Sequence, residues 1–172
     1  MAIEIGTIVD PGQENAFTVG DRHAARSLSE LPESHRALLD GPVTAAVSTL
    51  NGNGSMQLTP IWTAVEGDRL LLNSVRGRAK DRNLRARPQV TVLLMDPQNP
   101  YHWLSVQGTV EEIVDEDDPE RGQEATDTIN RLSQLYLGEE TYPLRDPNGE
   151  VRTLYKVAPR RILVFGQPSD DE

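Results

Sequence analysis

Cations crowd one short stretch of an otherwise acidic chain. Between Arg76 and Arg87 lie Arg76, Arg78, Lys80, Arg82, Arg85 and Arg87 against the single acid Asp81, a net charge of +5. The full 172 residues sum to −10, so everything outside this stretch carries −15. A concentrated positive site on an acidic protein fits a bound anion. The stretch follows the apolar run Leu70-Leu71-Leu72 and the pair Asn73-Ser74, and it then runs on as a short helix. That strand-to-helix setting points to phosphate. Free N–H groups at a helix start, a guanidinium fork and a lysine point charge all suit phosphate oxygens. Lys80 is one of only two lysines in the chain, and it falls inside the cluster. A solvated basic helix face is the competing reading, open above all for Arg82, Arg85 and Arg87, and level with phosphate contact for Arg76.

Other chemistries find little support. The chain has no cysteine, which excludes thiolate catalysis, disulfides and iron–sulfur ligation. His23, His35 and His102 are far apart and form no metal-spacing motif, so packed or surface roles are expected. No catalytic triad is visible. A nucleic-acid partner is not expected, because the acidic remainder repels a long polyanion and no aromatics interleave with the arginines. No run approaches the ~20 apolar residues of a membrane span. The N-terminus lacks a basic region followed by an apolar core. The cytoplasm is the expected compartment.

A chain of this length builds one domain with a proper core. Residues 1–28 read as an N-terminal arm, 29–166 as the folded domain and 167–172 as an acidic tail. Ser29 as cap and Pro32 in the first turn start a helix whose Leu31, His35, Leu38 and Leu39 share a face, and Gly41-Pro42 ends it. Val43–Leu50 is a strand, Asn51-Gly52-Asn53-Gly54 a hairpin turn, and Gln57–Val65 the returning strand, with Pro60 marking an edge or a bulge. Arg69–Ser74, Gln89–Met95, Trp103–Val114, Val151–Val157 and Arg161–Phe165 complete the strands. Lys80–Ala86 is a short helix anchored by Leu84. The acid-rich segment Glu111–Glu120 leads into a longer helix, Pro119–Leu137, whose N-terminal dipole favours acids. Six or seven strands with few helices make a mainly β or α+β protein, an antiparallel barrel with helical additions.

Several marks occur in a telling order: Thr59-Pro60-Ile61-Trp62, then Ser74-x-Arg76-x-Arg78-x-Lys80 with Asn83-Leu84, then Pro88-Gln89-Val90, then Val106-Gln107-Gly108. In this order the chain resembles the pyridoxamine 5′-phosphate oxidase-like split-barrel family of flavin and deazaflavin proteins. Within it, the chain looks most like the actinobacterial branch that uses the deazaflavin coenzyme F420. The resemblance covers roughly residues 30–166. It implies a six-stranded antiparallel split barrel with flanking helices, a homodimer with cofactor in two grooves at the interface, and a small-molecule substrate. Ser74, Arg76, Arg78 and Lys80 match the positions that hold the phosphate, with Asn83 just beyond. Thr59, Pro60, Ile61 and Trp62 match the strand beside the tricyclic ring, although plain core is an equal reading for Trp62. Gln107 matches a polar cofactor contact or faces solvent. Tyr101 and Trp103 line the substrate side or simply pack.

The Arg–His clamp of a true pyridoxamine phosphate oxidase is missing from the closing LYKVAPRRILVFG, so a vitamin-B6 enzyme is not expected. The implied activity is an F420-dependent reductase that hands a hydride to a small conjugated acceptor. FMN in place of F420 is one alternative, and a non-catalytic F420 carrier is another. Arg82, Arg85 and Arg87 favour the deazaflavin, whose glutamyl tail adds anions. The loops Asp96–Tyr101 and Leu137–Pro147 are expected to shape the substrate pocket.

Overall fold

The computed structural model describes residues 25–146 and 149–166. The arm up to residue 24 and the tail 167–172 lie outside the described residues. Seven strands form one antiparallel sheet: β1 (Ala45–Leu50), β2 (Met56–Ile61), β3 (Thr63–Glu66), β4 (Arg69–Val75), β5 (Gln89–Met95), β6 (Trp103–Asp115) and β7 (Arg152–Phe165). Their order is β2-β1-β5-β6-β7-β4-β3. Here β2 and β3 stand at opposite ends, yet only Trp62 separates them along the chain. The sheet therefore curls until its two ends meet at Trp62, and the barrel closes on a seam.

This corrects two expectations. Gln57–Val65 is not one strand: β2 pairs with β1 and β3 with β4, so the chain turns a corner at Trp62. The strands expected at Val151–Val157 and Arg161–Phe165 are one, β7. It runs through Pro159 because a register shift at Gln107/Gly108 leaves the proline opposite Gly108, where a bulge needs no N–H. There the strands touch so closely that a Cβ on Gly108 would come within 2.4 Å of Val157 and 2.8 Å of the Ala158 carbonyl. Among the described residues the count is thus seven strands, one more than the resemblance implies.

Three helices dress the barrel: α1 (Glu33–Asp40), α2 (Ala79–Ala86) and α3 (Gly122–Leu137). Ser27, not Ser29, caps the opening turn, a 3-10 turn over Leu28–Glu30, and α1 starts only after Pro32. The end of the expected arm is docked as well. Ala25 bridges to Ile162 of β7, and Leu28 is fully buried.

Strand alternation explains the core. Leu70 and Leu72 point into the barrel with Val92, Val106, Tyr155 and Val157. Leu71 and Leu154 point outward and are covered by Ala125, Ile129 and Leu132 of α3. An unbroken Leu70-Leu71-Leu72 run is therefore what a strand buried on both faces requires. Among the described residues no helix is long and apolar enough to cross a membrane. No group of His, Cys, Asp and Glu among them could hold a metal ion.

Candidate functional site

The seam, the end of β4 and the start of α2 meet around a pocket of about 250 Å³. Pro60, Ile61 and Trp62 come from the seam, Asn73 and Ser74 from β4, and Arg78 and Lys80 from the turn into α2. Six of the residues singled out in the sequence thus share one cavity. Arg152, Tyr142 and Leu144 line it too, with Ile129 and Leu132 of α3. One part is cationic, another aromatic and aliphatic.

Local bonding decides which cations face the pocket unpaired. Arg76 forks onto Asp117 at 2.9 and 2.6 Å and leans on Asp115 at 3.5 Å. Arg85 bridges Asp81 at 2.8 Å and Asp115 at 2.5 Å. Arg82 donates to the Gly77 carbonyl, and Arg87 to that of Leu50. Arg152, almost fully buried, pairs with Glu150 at 3.0 Å and donates to Asn73 at 2.9 Å. Among the described residues the side chains of Arg78 and Lys80 have no carboxylate partner. Burial, reinforced by the charges of Arg78 and Arg152, holds the Lys80 ammonium below the ordinary lysine range. Arg78 and half-buried Lys80 are thus two uncompensated cations lining one cleft, where an anion would relieve their mutual repulsion and the cost of burying Lys80.

Asp81 gives the turn its shape. It is buried, and it accepts from Gly77 N–H at 2.7 Å, Arg85 at 2.8 Å and the Tyr155 hydroxyl at 2.6 Å. Burial works to raise this carboxyl, but Tyr155, Gly77 and Arg85 together keep it below the ordinary aspartate value. Gly77 adopts φ 82°, which a side chain would resist, so the chain reverses tightly just before Arg78. No side chain caps α2, and its first-turn N–H groups remain open to an anion. These donors and charges suit a phosphate group on a cofactor.

The other expected site residues fall elsewhere. Thr59 precedes the pocket residues, its hydroxyl oxygen buried without a hydrogen-bond partner. Trp62 stacks on Tyr136 at 4.9 Å and also lines the pocket. Asn83 is buried and donates to Thr49 at 3.0 Å and Asn51 at 2.8 Å, which ties α2 to the hairpin. Gln107 lies in a separate cleft of about 360 Å³ on the β1–β5–β6 face, beside Leu50 and Met56. Tyr101 is exposed in the 96–101 loop, and Trp103 stacks on Phe165 at 5.8 Å, away from the anion pocket.

Arg152, Asn73 and Tyr142 are pocket residues that the sequence did not single out. A polar Asn inside the buried Leu70–Ser74 run was the available signal for Asn73. Arg152 and Tyr142 are brought in by tertiary contacts alone.

Comparison with known proteins gives consistent relatives. The family model described as "Pyridoxamine 5'-phosphate oxidase" matches residues 31–164. Among solved structures, one titled an F420 reductase is 30% identical, with a TM-score of 0.63 over 77% of this chain and 98% of its own. A conserved hypothetical protein of Mycobacterium tuberculosis is 25% identical, with a TM-score of 0.57 over 77% of this chain and 82% of its own. The heme storage protein HutZ of Vibrio cholerae shares the fold at 14% identity, with a TM-score of 0.55 over 76% of this chain and 93% of its own. No curated protein matches.

Proposed function

The chain belongs to the pyridoxamine 5′-phosphate oxidase family, and on that premise we propose that it is an F420-dependent oxidoreductase acting on a small conjugated acceptor. The observation that carries this reading is the pair of unpaired cations, Arg78 and Lys80, at the mouth of α2 beside Ser74. The F420 reductase among its relatives favours the deazaflavin over FMN. When bound, the deazaflavin supplies hydride chemistry.

The chain's own residues would do the rest. Arg78 and Lys80 would neutralise the phosphate, and the Ser74 hydroxyl and the first N–H groups of α2 would complete its hydrogen bonds. Pro60, Ile61 and Trp62 would offer an apolar wall. The unpartnered Thr59 hydroxyl is a candidate for the ring's polar edge. Exposed Met56 and Leu58, next to the Gln107 cleft, support a homodimer that covers this face.

The test is a fluorescence titration with F420 and with FMN, on the wild type and on Arg78→Ala/Lys80→Ala. Tighter binding of F420, weakened at least about tenfold in the variant (~1.4 kcal/mol), supports the reading. Preference for FMN would move the protein to the flavin side of the family. Binding of neither, or no loss in the variant, overturns the phosphate site. Tight binding without turnover of any acceptor would leave a cofactor carrier.

A further inference from the structure

After α3, residues 138–146 form a strap along this pocket, and it is pinned repeatedly. Gly138 ends α3 in the left-handed conformation. Tyr142 N–H donates to Asn130 at 3.0 Å. Arg145 forks onto both oxygens of Glu116, at 2.5 and 3.1 Å. Glu116 is fixed in turn by the Thr126 hydroxyl at 2.6 Å and by Arg152 N–H at 3.1 Å. Strap, β6, α3 and β7 therefore share one carboxylate.

This anchoring presents Tyr142 to the cavity. Its ring stands edge-on to Trp62, with centroids 6.0 Å apart and planes at 89°, and the Arg152 guanidinium lies 5.0 Å from its centroid. Trp62 is held from elsewhere by its stack on Tyr136. Tyr142 and Leu144 are thus pocket walls carried by the strap's irregular backbone, and Leu144 is 64% exposed at the rim. The cavity's 250 Å³ is less than the roughly 300–1,000 Å³ of sites that enclose a whole small ligand, so part of a larger bound molecule would extend past its walls. Arg78 and Lys80, at the start of α2, would hold an anion without the strap.

We propose, resting on the anion-site reading above, that Tyr142 is a specificity-determining residue. It meets whatever the ligand carries beyond its phosphate, and it favours slim phosphate esters over those with a bulky second half. Arg145 and Glu116 are positioning residues, acting only by holding the strap.

Two ligand pairs isolate this effect. FMN and FAD share a ring and differ beyond the phosphate, and so do F420 molecules with short and long glutamyl tails. Dissociation constants are measured by fluorescence for the wild type, Tyr142→Ala, Tyr142→Phe and Arg145→Met. The wild type should prefer the slimmer member of whichever pair it binds. Tyr142→Ala and Arg145→Met should each cut that preference at least about tenfold, within the range a reshaped pocket wall commands. Tyr142→Phe should keep it, and Arg145→Met serves if Tyr142→Ala does not fold. An unchanged preference in the folded strap variants overturns the proposal, while binding that still depends on Arg78 and Lys80 leaves the phosphate reading intact. Failure of the wild type to bind any of the four ligands removes both.

Discussion

Arg76 and Arg78 stand two positions apart with equal charge, yet they have opposite fates. Asp117 and Asp115 neutralise the first, and the second reaches the pocket unpaired. Arg76→Ala should therefore weaken F420 binding by less than about threefold, against at least about tenfold for Arg78→Ala, in the same titration. Lys80 adds a pH signature. Its folded pKa lies below the ordinary 10.5, and a bound anion would raise it, so binding takes up a proton. Affinity should be flat while Lys80 is protonated in the free protein and fall as pH rises through its lowered pKa. Lys80→Arg should abolish that fall over the same range, because arginine stays charged. Dissociation constants measured from pH 7 upward check both. At this scale the sequence revealed the charge cluster but not its division. Arg85 has Asp81 four positions away, but Arg76 is silenced by Asp115 and Asp117, about forty positions away, and spacing along the cluster carries no trace of those two.

Elements were more legible, because period and punctuation are local. The hairpin, β4, β5, β6 and α2 follow from alternation and turn residues. The corner at Trp62 was hidden because burial favours apolar residues on both sides of it. Pro159 looked like a strand end because the bulge that tolerates it is set by Gly108 on a partner strand. Gly108→Ala should cost roughly 1–3 kcal/mol in denaturant unfolding, since a Cβ there overlaps Val157 and the Ala158 carbonyl. Where β6 ends, Glu116 serves as the common anchor. Arg145, aided by Thr126 and the Arg152 N–H, holds its pKa at about 2 against burial. A free glutamate titrates near 4.3, so the folded protein binds fewer protons there and this stabilisation is complete above about pH 5. It is lost as pH falls toward 2. Glu116→Gln should lower Tm at pH 7 and flatten the decline of Tm between pH 5 and 3, as thermal melts at several pH values would show.

Across the whole molecule, fold class, family and a barrel were legible from pattern and motif order, whereas the place where the barrel closes was not. Nothing local says that β2 and β3, adjacent in sequence, will be the two ends of one sheet. That arrangement also governs when the site comes into being. β4 carries Asn73 and Ser74, and its partner from Leu70–Val157 to Val75–Arg152 is β7, the last strand among the described residues; its other neighbour is the four-residue β3. Pairing so distant in sequence is slow to nucleate. A chain truncated after Gly149 should lose its cooperative thermal transition by circular dichroism, and with it the pocket. During synthesis the cation cluster emerges long before Arg152 and its strand exist to build a cavity around it. The pocket thus forms only once β7 has been made, and a cofactor bound there would select only chains that have completed that strand.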